Sequence, residues 1–140
     1  MTDTENFTLE LIIQLEKCVK RFSHKNGNLF YEAKILYKNG HKTPDDITAY
    51  NIDLYYNNHI VRFSYYPHVP LSMAHSVLTC YVSLSKTDTQ KLFYPLSQIY
   101  GFLGVTPIYA LTIPMILSSD TMTECFDCIA ESLLLINSAI

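Results

Sequence analysis

On either side of Asn57-Asn58 the chain alternates apolar and polar residues with a period of two, and the two alternations mirror each other. Folded back on that dipeptide, Tyr56 meets His59, Tyr55 meets Ile60, Leu54 meets Val61, Asp53 meets Arg62, Ile52 meets Phe63, Asn51 meets Ser64 and Tyr50 meets Tyr65. Asn tolerates the positive φ of a two-residue primed turn, whose twist suits the flanking strands. The stretch from Thr48 to Tyr66 is therefore predicted to be a hairpin with Tyr50, Ile52, Leu54, Val61, Phe63 and Tyr65 on one face. Asn51, Asp53, Arg62 and Ser64 take the other face, with Asp53 opposite Arg62 as a favourable cross-strand pair. A slip of one residue would turn the whole apolar set into water, so the register is strongly specified.

The other elements follow from changes of period. Leu11, Leu15, Cys18 and Phe22, flanked by Ile12 and Val19, have helical spacing and predict an amphipathic helix from an Asn6 N-cap to about Ser23. Leu29–Lys38 returns to period two, with Tyr31, Ala33, Ile35 and Tyr37 sharing a face against Glu32, Lys34 and Lys38. A polar connection over His41–Asp46 contains Pro44, which excludes a central strand there. After Pro67–Pro70, residues Met73–Ser85 predict a further strand with Leu78, Cys80, Val82 and Leu84 on one side. Thr87-Asp88 opens a helical segment to about Leu103; Pro95 within it requires a kink or a fresh helix with Pro95 in its first position. Ile108–Leu117 has the β-branched residues of a strand, which Pro114 confines to an edge or ends. A last helix, capped around Ser118–Thr121, with Thr121 and Glu124 at capping-box spacing, runs to about Asn137 with a broad apolar stripe. The expected fold is a single α+β domain over residues 1–140: an antiparallel meander of four strands, or five if 108–117 adds one, with an N-terminal helix and two C-terminal helices packed on one face.

Composition narrows the function classes. Hydrophobic residues make up 49% of the 140 and charged residues only 16%, which excludes disorder and leaves apolar surface beyond what one core absorbs. A net charge of −3 and a pI near 5.9 argue against a phosphate-dominated nucleic-acid binder. The one basic cluster, Lys17, Lys20, Arg21 and Lys25, falls toward the end of the first helix, where cations complement the macrodipole. Acidic residues occupy the start of the chain where a secretory signal carries basic ones, so a cytoplasmic chain with reduced thiols is expected. The most apolar run, Phe102–Leu117, holds Gly104, Pro107 and Pro114 and is too short for a membrane span.

Candidate chemistry is sparse. Cys125-Phe126-Asp127-Cys128 has redox-motif spacing, but Cys125 lies about a turn inside its helix and Glu124 and Asp127 would raise the thiol pKa values. Burial as small hydrophobes is expected for Cys18, Cys80 and Cys125, with Cys128 less well placed on the stripe. The five His residues lie in predicted loops or at strand ends without metal-ligand spacing, and no phosphate loop, nucleophile elbow or dinucleotide fingerprint is present. No catalytic, cofactor-binding or metal-ligating residue is assigned. The order helix, strands, helix, strand, helix resembles the topology of small secretion-chaperone-type proteins, which are acidic homodimers binding partner segments.

The expected function is that of a non-enzymatic interaction module, chaperone-, adaptor- or inhibitor-like, acting on a protein partner or on itself as a homodimer. Tyr55, Ile60 and Tyr66 on the outer hairpin face and Leu134 on the last helix are its candidate contacts, over a hidden area of about 1,200 Å² or more. The alternatives are a small-ligand binder or enzyme with a pocket between sheet and helices, and the N-terminal domain of a longer chain.

Overall fold

The computed structural model describes residues 3–26, 29–40, 42–43, 46–56, 59–67, 76–83, 85–101, 104, 107, 111–117 and 122–139. Helix α1 (Asp3–Lys25) precedes strands β1 (Phe30–Tyr37), β2 (Ile47–Tyr56), β3 (His59–Tyr66) and β4 (Ser76–Ser83); helix α2 (Lys86–Gly101), strand β5 (Thr112–Leu117) and helix α3 (Met122–Ala139) complete the chain. The five strands form one antiparallel sheet in chain order, an α+β fold with the helices at either end of the sequence and between the last two strands. All seven hairpin pairs expected from the alternation are present, from Tyr50 opposite Tyr65 to Tyr56 opposite His59. The Asn57-Asn58 turn itself, residues 68–75 and the Thr121 cap lie outside the described residues.

One core joins the inner face of the sheet to the helices. Ile52, Leu54, Val61, Phe63, Leu78 and Cys80 are fully buried and pack with Leu11, Leu15 and Val19 of α1, Leu92 and Leu96 of α2, and Ile129 and Leu133 of α3. Apolar burial of this extent is the dominant favourable term in folding. Two tyrosines of the core differ in how their hydroxyls are satisfied. Tyr100 shares a 2.8 Å hydrogen bond with Ser132, whose Oγ also donates to the Ile129 carbonyl at 2.8 Å, and so ties α2 to α3. The buried hydroxyl of Tyr50 has no hydrogen-bond partner among the described residues, and burial raises its pKa. An unsatisfied hydroxyl costs about 1–3 kcal/mol, a cost set against the ring area that Tyr50 hides.

Two helix starts differ from expectation. α1 begins at Asp3, so Asn6 lies inside the helix and does not cap it. The apolar period marks where a helix becomes buried, from Thr8 onward here, and not where its backbone starts. α2 begins at Lys86, one residue earlier than Thr87-Asp88 implied, after the N-cap Ser85, whose Oγ accepts the Asp88 amide at 3.2 Å. Pro95 interrupts nothing: α2 is one helix with the proline in its interior. β5 occupies a sheet edge, as Pro114 requires, and it enters through Leu111, a buried residue held at φ 53°. A bulky side chain in the left-handed region stores about 1 kcal/mol of strain or more, which the burial of Leu111 outweighs.

Candidate interaction surfaces

Among the described residues the helices meet the strands from the side of the core, where Leu11, Leu15 and Val19 of α1 and Ile129 and Leu133 of α3 pack. Strand pairing sets the side chains of the outer face in rows. Phe30, Tyr55 and Ile60 lie side by side at one end, the rings of Phe30 and Tyr55 tilted at 34° with centroids 5.6 Å apart. The next row, Glu32, Asp53, Arg62 and Tyr81, is ionic. Arg62 donates to both Asp53 oxygens, at 2.7 Å and 3.0 Å, and the Tyr55 hydroxyl donates to Glu32 at 3.3 Å. Desolvation first, then the Glu32 and Asp53 carboxylates, push the Tyr55 phenol up. The Asp53 hydrogen bond does the same for Arg62. Lys34, Asn51, Ser64 and Thr79 form a polar row beyond.

Tyr66 is exposed on this face but lies at the far end of β3, six residues from Ile60, or about 20 Å along the strand. The three candidate residues of the sheet are therefore not one patch. Tyr55 and Ile60 belong with Phe30, and a polar middle separates them from Tyr66. Phe30, Leu36 and Tyr81, also exposed here, were absent from the expected contacts. Their alternation was legible, but only the strand order shows which side chains stand next to them.

Leu134 is placed differently. It is 58% exposed on α3 and borders a groove of about 250 Å³ between α1 and α3. Phe126, Asp127, Ala130 and Leu134 form one wall; Lys17, Cys18, Arg21, Phe22 and Lys25 form the other. The Asn137 side chain donates to Asn26 at 3.3 Å at one end, joining the C-terminal ends of both helices. The helix spacing of three and four residues puts each set on a single stripe. Because α1 runs to Lys25, only His24 and Lys25 occupy its last turn, so the macrodipole does not account for Lys17, Lys20 and Arg21. Among the described residues the one ion pair is Arg62 with Asp53, so Lys17, Arg21 and Lys25 form none, and Asp127 is the single carboxylate in the groove they line.

No family model, curated protein or solved structure matches this chain.

The thiols divide by depth. Cys80, Cys125 and Cys128 are buried, while Cys18 is half-buried and opens on the groove, the reverse of the expected standing of Cys18 and Cys128. The inversion arises because α1 turns Cys18 toward the gap with α3 and not toward the sheet, while Cys128 reaches the Ile99 carbonyl of α2 at 3.5 Å. Burial drives the pKa of Cys80 and of Cys125 up to about 12. Cys128 is raised by burial first and then by Glu131, Asp127 and Glu124. Cys18 is also raised, by burial, with Arg21 opposing. Thiols held protonated at neutral pH are poor nucleophiles. Among the described residues no three His, Cys, Asp or Glu side chains converge as metal ligands would. Native protein treated with a thiol reagent should be modified first at Cys18, at a rate that climbs only above the ordinary thiol pKa, with the other three reacting on unfolding. Peptide mapping that found Cys128 modified before Cys18 would contradict this arrangement.

Proposed function

We propose that the chain is a non-enzymatic protein-binding module whose receptor surface is the α1/α3 groove, and that its partner presents an acidic amphipathic helix. The reading is carried by one observation: Lys17, Arg21 and Lys25, in no ion pair among the described residues, stand across the groove from Phe126, Ala130 and the exposed Leu134, with Asp127 the one carboxylate of the lining. A helix laid in such a groove buries its apolar side against Phe126, Ala130 and Leu134 and sets carboxylates against the cationic wall. The apolar strip supplies affinity, and the cations supply orientation and a faster encounter. The chain as a whole carries a charge of −3, so the local positive wall selects the approach.

A labelled 18-residue peptide with leucines at helical spacing and glutamates beside them tests this. It should bind with a Kd in the micromolar range that weakens with salt, and its lysine counterpart should not bind. Leu134→Glu and Arg21→Glu should each weaken binding about tenfold or more, because one removes the apolar anchor and the other repels the peptide. Equal binding of both peptides, or no binding of either at about 200 µM, would remove the groove as the receptor surface.

A further inference from the structure

The two edges of the sheet are not equivalent. β5 is six residues long and contains Pro114, which has no amide hydrogen to offer another strand. β1 is eight residues long, pairs among the described residues only with β2, and contains neither proline nor glycine. Its residues are exposed or half-buried throughout, Phe30 at 61% and Leu36 at 37%, and Ala33 is exposed although it belongs to the helix-facing side. The Leu36 carbonyl faces β2, accepting the Thr48 hydroxyl at 3.1 Å. Peptide groups alternate in direction along a strand, so those of Phe30, Glu32 and Lys34 face β2 as well. Tyr31, Ala33 and Ile35 direct theirs to the open edge, a template for a further strand.

We infer that the occupant of this edge is a second copy of the chain, with β1 pairing to β1 antiparallel about a two-fold axis at Ala33. The order of residues selects both partner and register. With Ala33 opposite the partner's Ala33, Glu32 faces the partner's Lys34 and Lys34 faces the partner's Glu32. Tyr31 then faces the partner's Ile35, and Phe30 faces the partner's Leu36, so each apolar residue meets another. Moving the axis to Glu32 sets two glutamates against each other, and moving it to Lys34 sets two lysines together. Like charges directly opposite are destabilising, and opposite ones favourable. The small Ala33 allows close approach at the axis. Each β1 gains backbone hydrogen bonds, about six in all, and the Phe30–Tyr55 pair is extended by the partner's Leu36. The contact is isologous and closes at two copies, because each chain has a single open β1 edge. It shares no residue with the α1/α3 groove and does not rest on that reading.

Sedimentation of the full chain tests the pairing. The wild type should dimerise with a Kd in the micromolar range, as suits a short edge-to-edge contact. Glu32→Lys and Lys34→Glu should each weaken the dimer about tenfold or more, because each creates two like-charged pairs across the axis. An equimolar mixture of those two variants should recover dimers, since the charges then alternate in sign again. Ala33→Pro should be monomeric with an unchanged circular dichroism spectrum, because it removes an amide that faces the open edge. A wild type that stays monomeric at about 200 µM overturns the inference. So does a dimer that survives both charge variants, or a mixture that fails to re-associate. Peptide binding in the groove, measured on the same variants, fails or persists separately.

Discussion

Phe63→Ala is expected to destabilise the protein by about 3–5 kcal/mol, the range for truncating a buried Phe to Ala. Phe63 is fully buried in the middle of the sheet, opposite Ile52 on β2 and Cys80 on β4, themselves fully buried. Backbone pairing on both sides holds the strands in place, so the space left cannot collapse and the loss includes a cavity as well as the transfer of the ring. A chain of this size has a total stability of about 5–15 kcal/mol, and the variant should approach unfolding near room temperature. Chemical denaturation should show a much lower midpoint with an unchanged slope. A loss below about 1 kcal/mol would mean that β3 is not the central strand of the core.

Pro95→Ala is expected to act in the opposite direction, raising stability by about 2 kcal/mol. A proline inside a helix removes one backbone hydrogen bond and crowds the carbonyl four residues earlier, here that of Lys91, at a cost of about 3 kcal/mol. Alanine returns some freedom to the unfolded chain, which takes back about 1 kcal/mol at most. The expected gain is the difference. Pro95 is only half-buried, so little packing is lost with the ring. Thermal denaturation separates the two arrangements that the sequence left open. In a continuous α2 the substitution raises the midpoint; with Pro95 at the first position of a separate helix it would be neutral or harmful. The tie between Tyr100 and Ser132 gives a reason for the helix to continue, since Leu92, Leu96 and Tyr100 reach the core only if one helical period runs through residue 95.

The weight of the register rests on apolar burial more than on the ion pair. Arg62 is half-exposed in its contact with Asp53, and pairs of that kind contribute about 1 kcal/mol or less. Misplacing the face that carries Ile52, Leu54, Val61 and Phe63 would cost several times as much. This is why Asp53 opposite Arg62 served as a good marker of the register without being its main cause.

The alternation around Asn57-Asn58, the helical stripes of the first and last helices and the edge position imposed by Pro114 were determined by the sequence alone. In each case the signal is local: a period of two or 3.6, or a missing amide, acts within a few residues of itself. Adjacency between distant segments has no such local code. Only the tertiary structure set α3 beside α1, which turned Leu134 from an isolated exposed leucine into part of a groove and gave Lys17 and Arg21 a setting that the helix terminus does not explain. It likewise opened Cys18 and buried Cys128, split Tyr66 from Tyr55 and Ile60, and left β1, with Glu32 and Lys34, at a sheet edge paired only with β2 among the described residues. The strands and helices were legible because each buries its own stripe; which stripes share a boundary depends on how all of them pack at once, a property of the whole chain and of no single segment.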